Sequence, residues 1–163
     1  EVDMTILVRD VMQTKVETVA PRMTLRELER MLLAHRVSGF PVVDEGRLVG
    51  VVSRSDIVRT LETEHAWEEQ ISDYYRAADD DPAAERASIG ARVGAQLEHR
   101  TVADAMVKAL QTIPSQQPIE EAAGIMAEHG IHRLPVVDEG KLVGILSSLD
   151  LVRLMAEKRL ATN

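Results

Sequence analysis

The 163 residues carry a formal charge of −8, 45% apolar residues and no cysteine, which suits one compact domain or two closely packed halves with a sizeable core. The lack of cysteine excludes disulfides, thiolate nucleophiles and thiolate metal sites, and the acidic balance argues against nucleic acid, whose phosphate backbone calls for a concentrated basic face. No apolar run approaches the roughly 20 residues that span a bilayer, and the opening EVDMTILVRD lacks a basic region followed by a long apolar core, so the expected setting is soluble and cytoplasmic, with no membrane partner.

In chain order, Ile6, Leu7, Val8, Asp10 and Met12 predict a single helical turn ending in VRDVM, and Thr101 to Met106 (TVADAM) predict another, with Thr101 and Asp104 at capping-box spacing. Val16, Thr18 and Val19 predict a short strand stopped by Pro21, and Leu110, Thr112 and Ile113 one stopped by Pro114, because proline cannot donate to a ladder. Thr24 with Glu27 opens a helix carrying Leu25, Leu28, Met31 and Leu32 on one stripe. Its counterpart has Pro118 at the first helical position, then Ile119, Ala122, Ile125 and Met126, and stops at Gly130.

Two β-branched runs follow each helix. Phe40 to Val43 and Leu48 to Val52 flank Asp44-Glu45-Gly46, and Leu134 to Val137 and Leu142 to Leu146 flank Asp138-Glu139-Gly140, the pattern of hairpins with loops of about three residues. Ser53 and Ser147 then open closing helices, with Asp56 and Asp150 three residues on; Ile57, Val58 and Leu61 carry the first, and Leu151, Val152, Leu154 and Met155 the second. The stretch PVVDEGxLVGhhSxxDhVR, with h aliphatic, thus occurs from Pro41 to Arg59 and again from Pro135 to Arg153. The ungapped match runs back to Met12 and Met106. A repeat of this kind cannot bury its own apolar face, so the expected fold is α+β: two strand-helix-strand-strand-helix repeats (1–61 and 101–163) packed sheet to sheet with pseudo-twofold symmetry.

The connection, 62–100, holds ten acids against four arginines from Thr60 to Arg100. Trp67, Ile71, Tyr74 and Ala78 share a helical face, Asp79-Asp80-Asp81-Pro82 breaks it, and Ile89, Val93 and Leu97 mark another stripe. This acidic helical insert either packs on its own module or offers a lid or partner surface. His35 and His129 stand at matching positions near helix ends, where an imidazolium suits the helix dipole.

A ribose offers a vicinal diol, and a carboxylate can accept from both hydroxyls. Asp56 and Asp150, at helix starts, are placed for that; Ser-x-x-Asp is equally a capping box, and the two roles are compatible, one oxygen capping while the other faces a cleft. Thr18 and Thr112 can hydrogen-bond a ligand or be ordinary strand-edge threonines. His132 and Arg133, just before a buried strand, suit phosphate recognition, since a guanidinium fork matches phosphate oxygens; a solvated loop pair is the plain alternative. Ser38 and Gly39 occupy the same positions in the first copy, so two clefts built on these repeats are not equivalent. No nucleophile-base pair, metal-ligand spacing or glycine-rich phosphate loop is present, and no catalysis and no metal are expected.

The order T-h-x-P, helix, h-P-V-V-D-x-G-x-L-V-G-h-h-[ST]-x-x-D resembles the cystathionine-beta-synthase (CBS) domain, here as the tandem pair known as a Bateman module. His132-Arg133-Leu134-Pro135-Val136-Val137-Asp138 is similar to the form in the adenine-nucleotide-sensing gamma subunit of AMP-activated protein kinase. The resemblance implies two clefts between the repeats that bind adenosine-containing ligands, and pairs that dimerise into a disc. One cleft would combine Ser53 and Asp56 with Thr112, Ile113, His132 and Arg133; the other Ser147 and Asp150 with Thr18, Val19, Ser38 and Gly39. The backbone beside each threonine would read the adenine edge. The function implied is a regulatory module that requires no cofactor, senses AMP, ADP or ATP and modulates a partner protein; the alternatives are a constitutive dimeric scaffold with empty clefts and a sensor of S-adenosylmethionine or NAD. A homodimer is expected, with Leu25, Leu28 and Met31 as candidates for core or interface.

Overall fold

The structure, a computed structural model, describes residues 5–61 and 94–157. The expectations for Trp67, Ile71, Tyr74, Ala78, the 79–82 break, Ile89 and Val93 lie outside the described residues. In chain order the elements are α1 (Val8–Val11), α2 (Leu25–His35), β1 (Gly39–Asp44), β2 (Arg47–Ser53), helical residues 54–61 (α3) and 94–99 (α4), α5 (Val102–Ala105), α6 (Ile119–His129), β3 (Arg133–Asp138), β4 (Lys141–Ser147) and α7 (Ser148–Ala156).

Helix starts follow local chemistry. Thr24 caps α2: its hydroxyl accepts from the Glu27 N–H at 3.2 Å while Glu27 accepts from the Thr24 N–H at 2.9 Å, so two otherwise orphaned donors are satisfied reciprocally. The Thr101 N–H donates to Asp104 at 2.8 Å at the start of α5. Pro118 is the N-cap of α6 and not its first helical residue, with extended backbone at ψ 147°; that corrects the expectation by one position, at no cost in donors because proline has none. Gly130 ends α6 in the left-handed region at φ 62°, as expected, while its counterpart Arg36 ends α2 at φ 53°. A side chain there costs about 1–2 kcal/mol, so the two helices are stopped by the same geometry at unequal cost.

Each hairpin turns through two residues. Glu45 (φ 49°) and Gly46 (φ 79°), and Glu139 (φ 52°) and Gly140 (φ 82°), have the two positive φ angles of a type I′ turn. The expected three-residue loops therefore shorten by one, and Asp138 pairs with Lys141 inside the antiparallel β3–β4 ladder. The short strands expected at Val16–Val19 and Leu110–Ile113 shrink to single parallel bridges, Val19 with Val42 and Ile113 with Val136. Proline is the reason. Pro41 and Pro135 accept from the Val19 and Ile113 N–H groups (3.0 and 3.1 Å) but return none, and Pro114 ends the second bridge.

The chain forms two compact units. Thr18–Val42 and Val49–Lys108 make one, built on α2. Its core holds Val19, Leu25, Leu28, Leu32, Phe40, Val42, Val52, Ile57, Leu97, Val102 and Ala105. Glu1–Glu17, Val43–Leu48 and Ala109–Asn163 make the other, built on α6 around Val8, Ile113, Ala122, Met126, Leu134, Val136 and Leu146. Leu25 and Leu28 are fully buried, which assigns the α2 stripe to core; each such leucine contributes about 1.5–3 kcal/mol.

Each unit contains the helical turn that precedes the other repeat. In the α6 unit Val8 N–H donates to the Gln117 carbonyl and Arg9 N–H to that of Ser115 (2.9 and 3.0 Å), and Gln13 and Ile145 exchange two backbone hydrogen bonds (2.8 and 2.9 Å). In the α2 unit Val102 and Ala103 bond the Met23 and Pro21 carbonyls (2.8 and 2.9 Å), and Val107 and Val51 exchange the equivalent pair (2.8 and 3.0 Å). The α+β reading holds: mixed helices and antiparallel hairpins, delivered twice.

Candidate functional site

Each repeat ends its hairpin at a serine and buries an aspartate one turn into the next helix. Asp56 is 5% exposed and Asp150 6%. In the α2 unit Asp56 Oδ2 accepts from both the N–H and the hydroxyl of Ser53 at 2.8 Å; in the α6 unit Asp150 Oδ2 accepts from the Ser147 N–H and hydroxyl at 2.8 and 2.7 Å. The capping role is therefore real in both. It uses one oxygen of each carboxylate.

The other oxygen distinguishes the two. Asp56 Oδ1 meets Arg59 Nη1 at 3.0 Å, an ion pair whose arginine side chain is 67% exposed. Asp150 Oδ1 accepts from the Gln13 amide at 3.1 Å, with Arg153 more distant at 3.9 Å. Burial works against the Asp150 charge, but the Ser147 hydroxyl and N–H, the Gln13 amide and the Arg153 guanidinium outweigh it and hold its pKa below the usual carboxylate value. Asp150 is thus an acceptor-only group at neutral pH. A pocket of about 190 Å³ opens beside it, lined by Asp10, Val11, Gln13, Asp150, Arg153, Leu154 and Glu157.

The remaining expected residues divide by unit. In the α6 unit Thr112 is exposed and Ile113 is buried in the core. Ile113 uses its N–H on Pro135 and its carbonyl on Val137. His132 and Arg133 are exposed; the His132 carbonyl accepts from the Ser148 N–H at 2.9 Å, and Arg133 is the cross-strand partner of Ser147. This brings the pre-strand pair beside the serine-aspartate cap of its own repeat.

In the α2 unit Thr18 and Ser38 are exposed and Val19 is buried in the core. The Ser38 carbonyl accepts from the Arg54 N–H at 3.0 Å. Gly39 lies so close to β2 that a Cβ would sit 2.7 Å from the Val52 carbonyl, which accounts for glycine where the second repeat has Arg133.

Two features escaped the sequence reading. Gln13 follows Met12 where Val107 follows Met106, so the amide that reaches Asp150 has only an isopropyl group as counterpart; the alignment displays this difference, but nothing in it says which way the residue faces. Ser115 is 6% exposed. Its hydroxyl and N–H donate to the two oxygens of Asp138 at 2.6 and 2.9 Å and lower the Asp138 pKa. Pro21 stands at the matching position of the first repeat and has neither donor.

Comparison with known proteins gives the family. The chain matches the CBS domain over residues 8–63 and again over 102–157. It is 31% identical over 144 residues to the CBS domain-containing protein YhcV of Bacillus subtilis, covering 88% of this chain and 81% of that one. It spans less of some other curated relatives: 58% of the chloroplastic CBSX1 of Arabidopsis thaliana, for example. Among solved structures it is similar to CBSX2 of Arabidopsis thaliana in complex with AMP, at 27% identity and a TM-score of 0.67, covering 94% of this chain and 98% of that one. It is also similar to the CBS domain pair of protein MJ0100 in complex with 5-methylthioadenosine and S-adenosyl-L-methionine, at 25% identity and 0.64 with the same coverage. With the family matched twice, on the two stretches that carry the capped aspartates, the chain belongs to the CBS domain family.

Proposed function

We propose that this chain is a non-catalytic regulatory module that binds an adenine nucleotide, AMP, ADP or ATP, and thereby changes its affinity for a partner protein. The observation that carries the reading is the pair of buried aspartates, Asp56 and Asp150, each with one oxygen fixed in a helix cap and the other accepting from one further side chain, Arg59 or Gln13. Such an oxygen suits a ribose hydroxyl. Ribose is assigned to Asp56 in the α2 unit and to Asp150 in the α6 unit, and phosphate to the exposed His132-Arg133 pair. Of the two solved relatives, one holds AMP and the other S-adenosyl-L-methionine. The exposed His132-Arg133 pair favours the nucleotide, because S-adenosylmethionine carries no phosphate.

A thermal-shift panel with AMP, ADP, ATP, NAD and S-adenosylmethionine tests this. A ligand present at about 100 times its dissociation constant stabilises the native state by about 2.7 kcal/mol, and the phosphate-bearing adenosine ligands are expected to give the largest rise in melting temperature. If none of the five moves it, the constitutive scaffold is the better reading.

That second reading has its own support. Leu149, Val152 and Met155 of α7 are 54%, 57% and 63% exposed at three-residue spacing, an apolar stripe along one helix face. A homodimer that covers this stripe would pair through α7, since Leu25 and Leu28 of α2 are core. Sedimentation at micromolar concentration is expected to return a dimer that Val152→Glu dissociates; a wild-type monomer contradicts it.

A further inference from the structure

We propose that Ser115 is a positioning residue for ligand binding in the α6 unit: by clasping Asp138 it holds the segment on which Thr112 presents its hydroxyl to the nucleotide. The inference rests on the nucleotide reading above and deepens it by giving Thr112 a place in the site. Ile113 joins β3 through one parallel bridge, to Val136. Because that bridge is parallel, Thr112 lies beside the part of β3 that begins at Arg133, whose cross-strand partner is Ser147, while Ser115 lies toward the Asp138 end. Thr112 is exposed and Ser115 is buried.

A single bridge is a pivot. Its two bonds, from the Ile113 N–H to the Pro135 carbonyl at 3.1 Å and from the Val137 N–H to the Ile113 carbonyl at 3.0 Å, fix Ile113 alone, and Pro114 has no N–H with which to extend them. The clasp supplies the second fixed point. The Ser115 hydroxyl and N–H donate to Asp138 Oδ2 and Oδ1 at 2.6 and 2.9 Å, both charge-assisted bonds, and Asp138 is itself paired with Lys141 in the β3–β4 ladder. The Ser115 carbonyl also accepts from the Arg9 N–H at 3.0 Å, so the α1 turn is fastened to the same residue.

The first repeat has the same threonine without the clasp. It reads Thr18-Val19-Ala20-Pro21 where the second reads Thr112-Ile113-Pro114-Ser115; with the proline one place earlier, position 115 is free to carry both an N–H and a hydroxyl. Pro21 donates nothing, and Asp44, the counterpart of Asp138, is exposed. The α2 unit forms without such a serine, so Ser115 is not needed to complete a repeat. What it adds is a segment already ordered before the ligand arrives.

The test is calorimetric titration of the intact chain with AMP for wild type, Ser115→Ala, Thr112→Val, the double variant, and Ser115→Thr, which keeps both donors. Asp138→Asn, which keeps the shape of the clasp and removes its charge, is made in parallel should alanine disturb the fold. Ser115→Ala is expected to weaken AMP about tenfold, the worth of a hydrogen bond to a charged group, and Ser115→Thr to restore it. The double variant is expected to bind no worse than Thr112→Val alone, because a clasp that acts through Thr112 has nothing to position once that hydroxyl is gone; a serine with only a structural role would add its own loss. Without ligand, the Val137 N–H should exchange faster with solvent in Ser115→Ala, since its acceptor is the Ile113 carbonyl on the loosened segment.

If wild type binds AMP and Ser115→Ala binds it equally well, or if the two losses add in the double variant, the inference is wrong and the nucleotide reading stands. A titration in which neither wild type nor any variant binds an adenosine ligand overturns both.

Discussion

Gly144→Ala is expected to destabilise the protein by about 1–3 kcal/mol, the range for forcing atoms into a filled site. A Cβ at this position would lie 2.6 Å from the Met12 sulfur and 2.9 Å from the Gln13 carbonyl oxygen. The methionine can turn aside. The carbonyl cannot, because it accepts the Ile145 N–H at 2.9 Å, so the added methyl must part the segment after α1 from β4. Gly124, on α6 with nothing within 4 Å of an added Cβ, is the control: Gly124→Ala should stabilise by up to about 1 kcal/mol through helix propensity alone. Urea denaturation measures both. Equal midpoints for wild type and Gly144→Ala would show that the contact is not tight.

The second large effect concerns phosphate. Arg133→Ala is expected to weaken AMP by about tenfold to more than a hundredfold, the equivalent of ~1.5–3 kcal/mol for a lost hydrogen bond to a charged group, and to leave adenosine unchanged. Arg133 is exposed at the start of β3, so its removal opens no cavity and threatens no fold. Titrations with AMP and adenosine separate the outcomes: equal loss of both ligands, or of neither, makes Arg133 an ordinary surface arginine.

Much of the fold was legible because it is written in local chemistry. Thr24 with Glu27, and Ser147 with Asp150, announce helix starts that the structure reproduces bond for bond, and the duplicated PVVDEG turn announces each hairpin. What could not be read is what depends on distance along the chain. Val8 and Val102 each look like the first residue of their own repeat, yet Val8 lies in the α6 core and Val102 in the α2 core. Periodicity identifies an apolar face without identifying the face that covers it. For the same reason the sequence groups the exposed Val152 and Met155 with the buried Leu154 in one apolar set, and offers Leu25, Leu28 and Met31 as core or interface alike.

The site was half legible. The aspartates and their serines follow from spacing, and so did the tension between capping and ligand binding. The structure shows the capping half of it, with Oδ2 in the cap and Oδ1 accepting from Arg59 or Gln13. A side chain such as Gln13, which reaches a residue more than a hundred positions away, leaves no local pattern to find.

Asp56→Asn is the most direct test of the account. An amide keeps the shape of the carboxylate but loses its charge and one acceptor, so calorimetric titration with AMP, on a variant whose fold is verified by circular dichroism, is expected to show binding weakened by at least about tenfold, with adenosine weakened alike because both carry the diol. Unaltered AMP binding in Asp56→Asn would contradict the assignment of ribose to this aspartate.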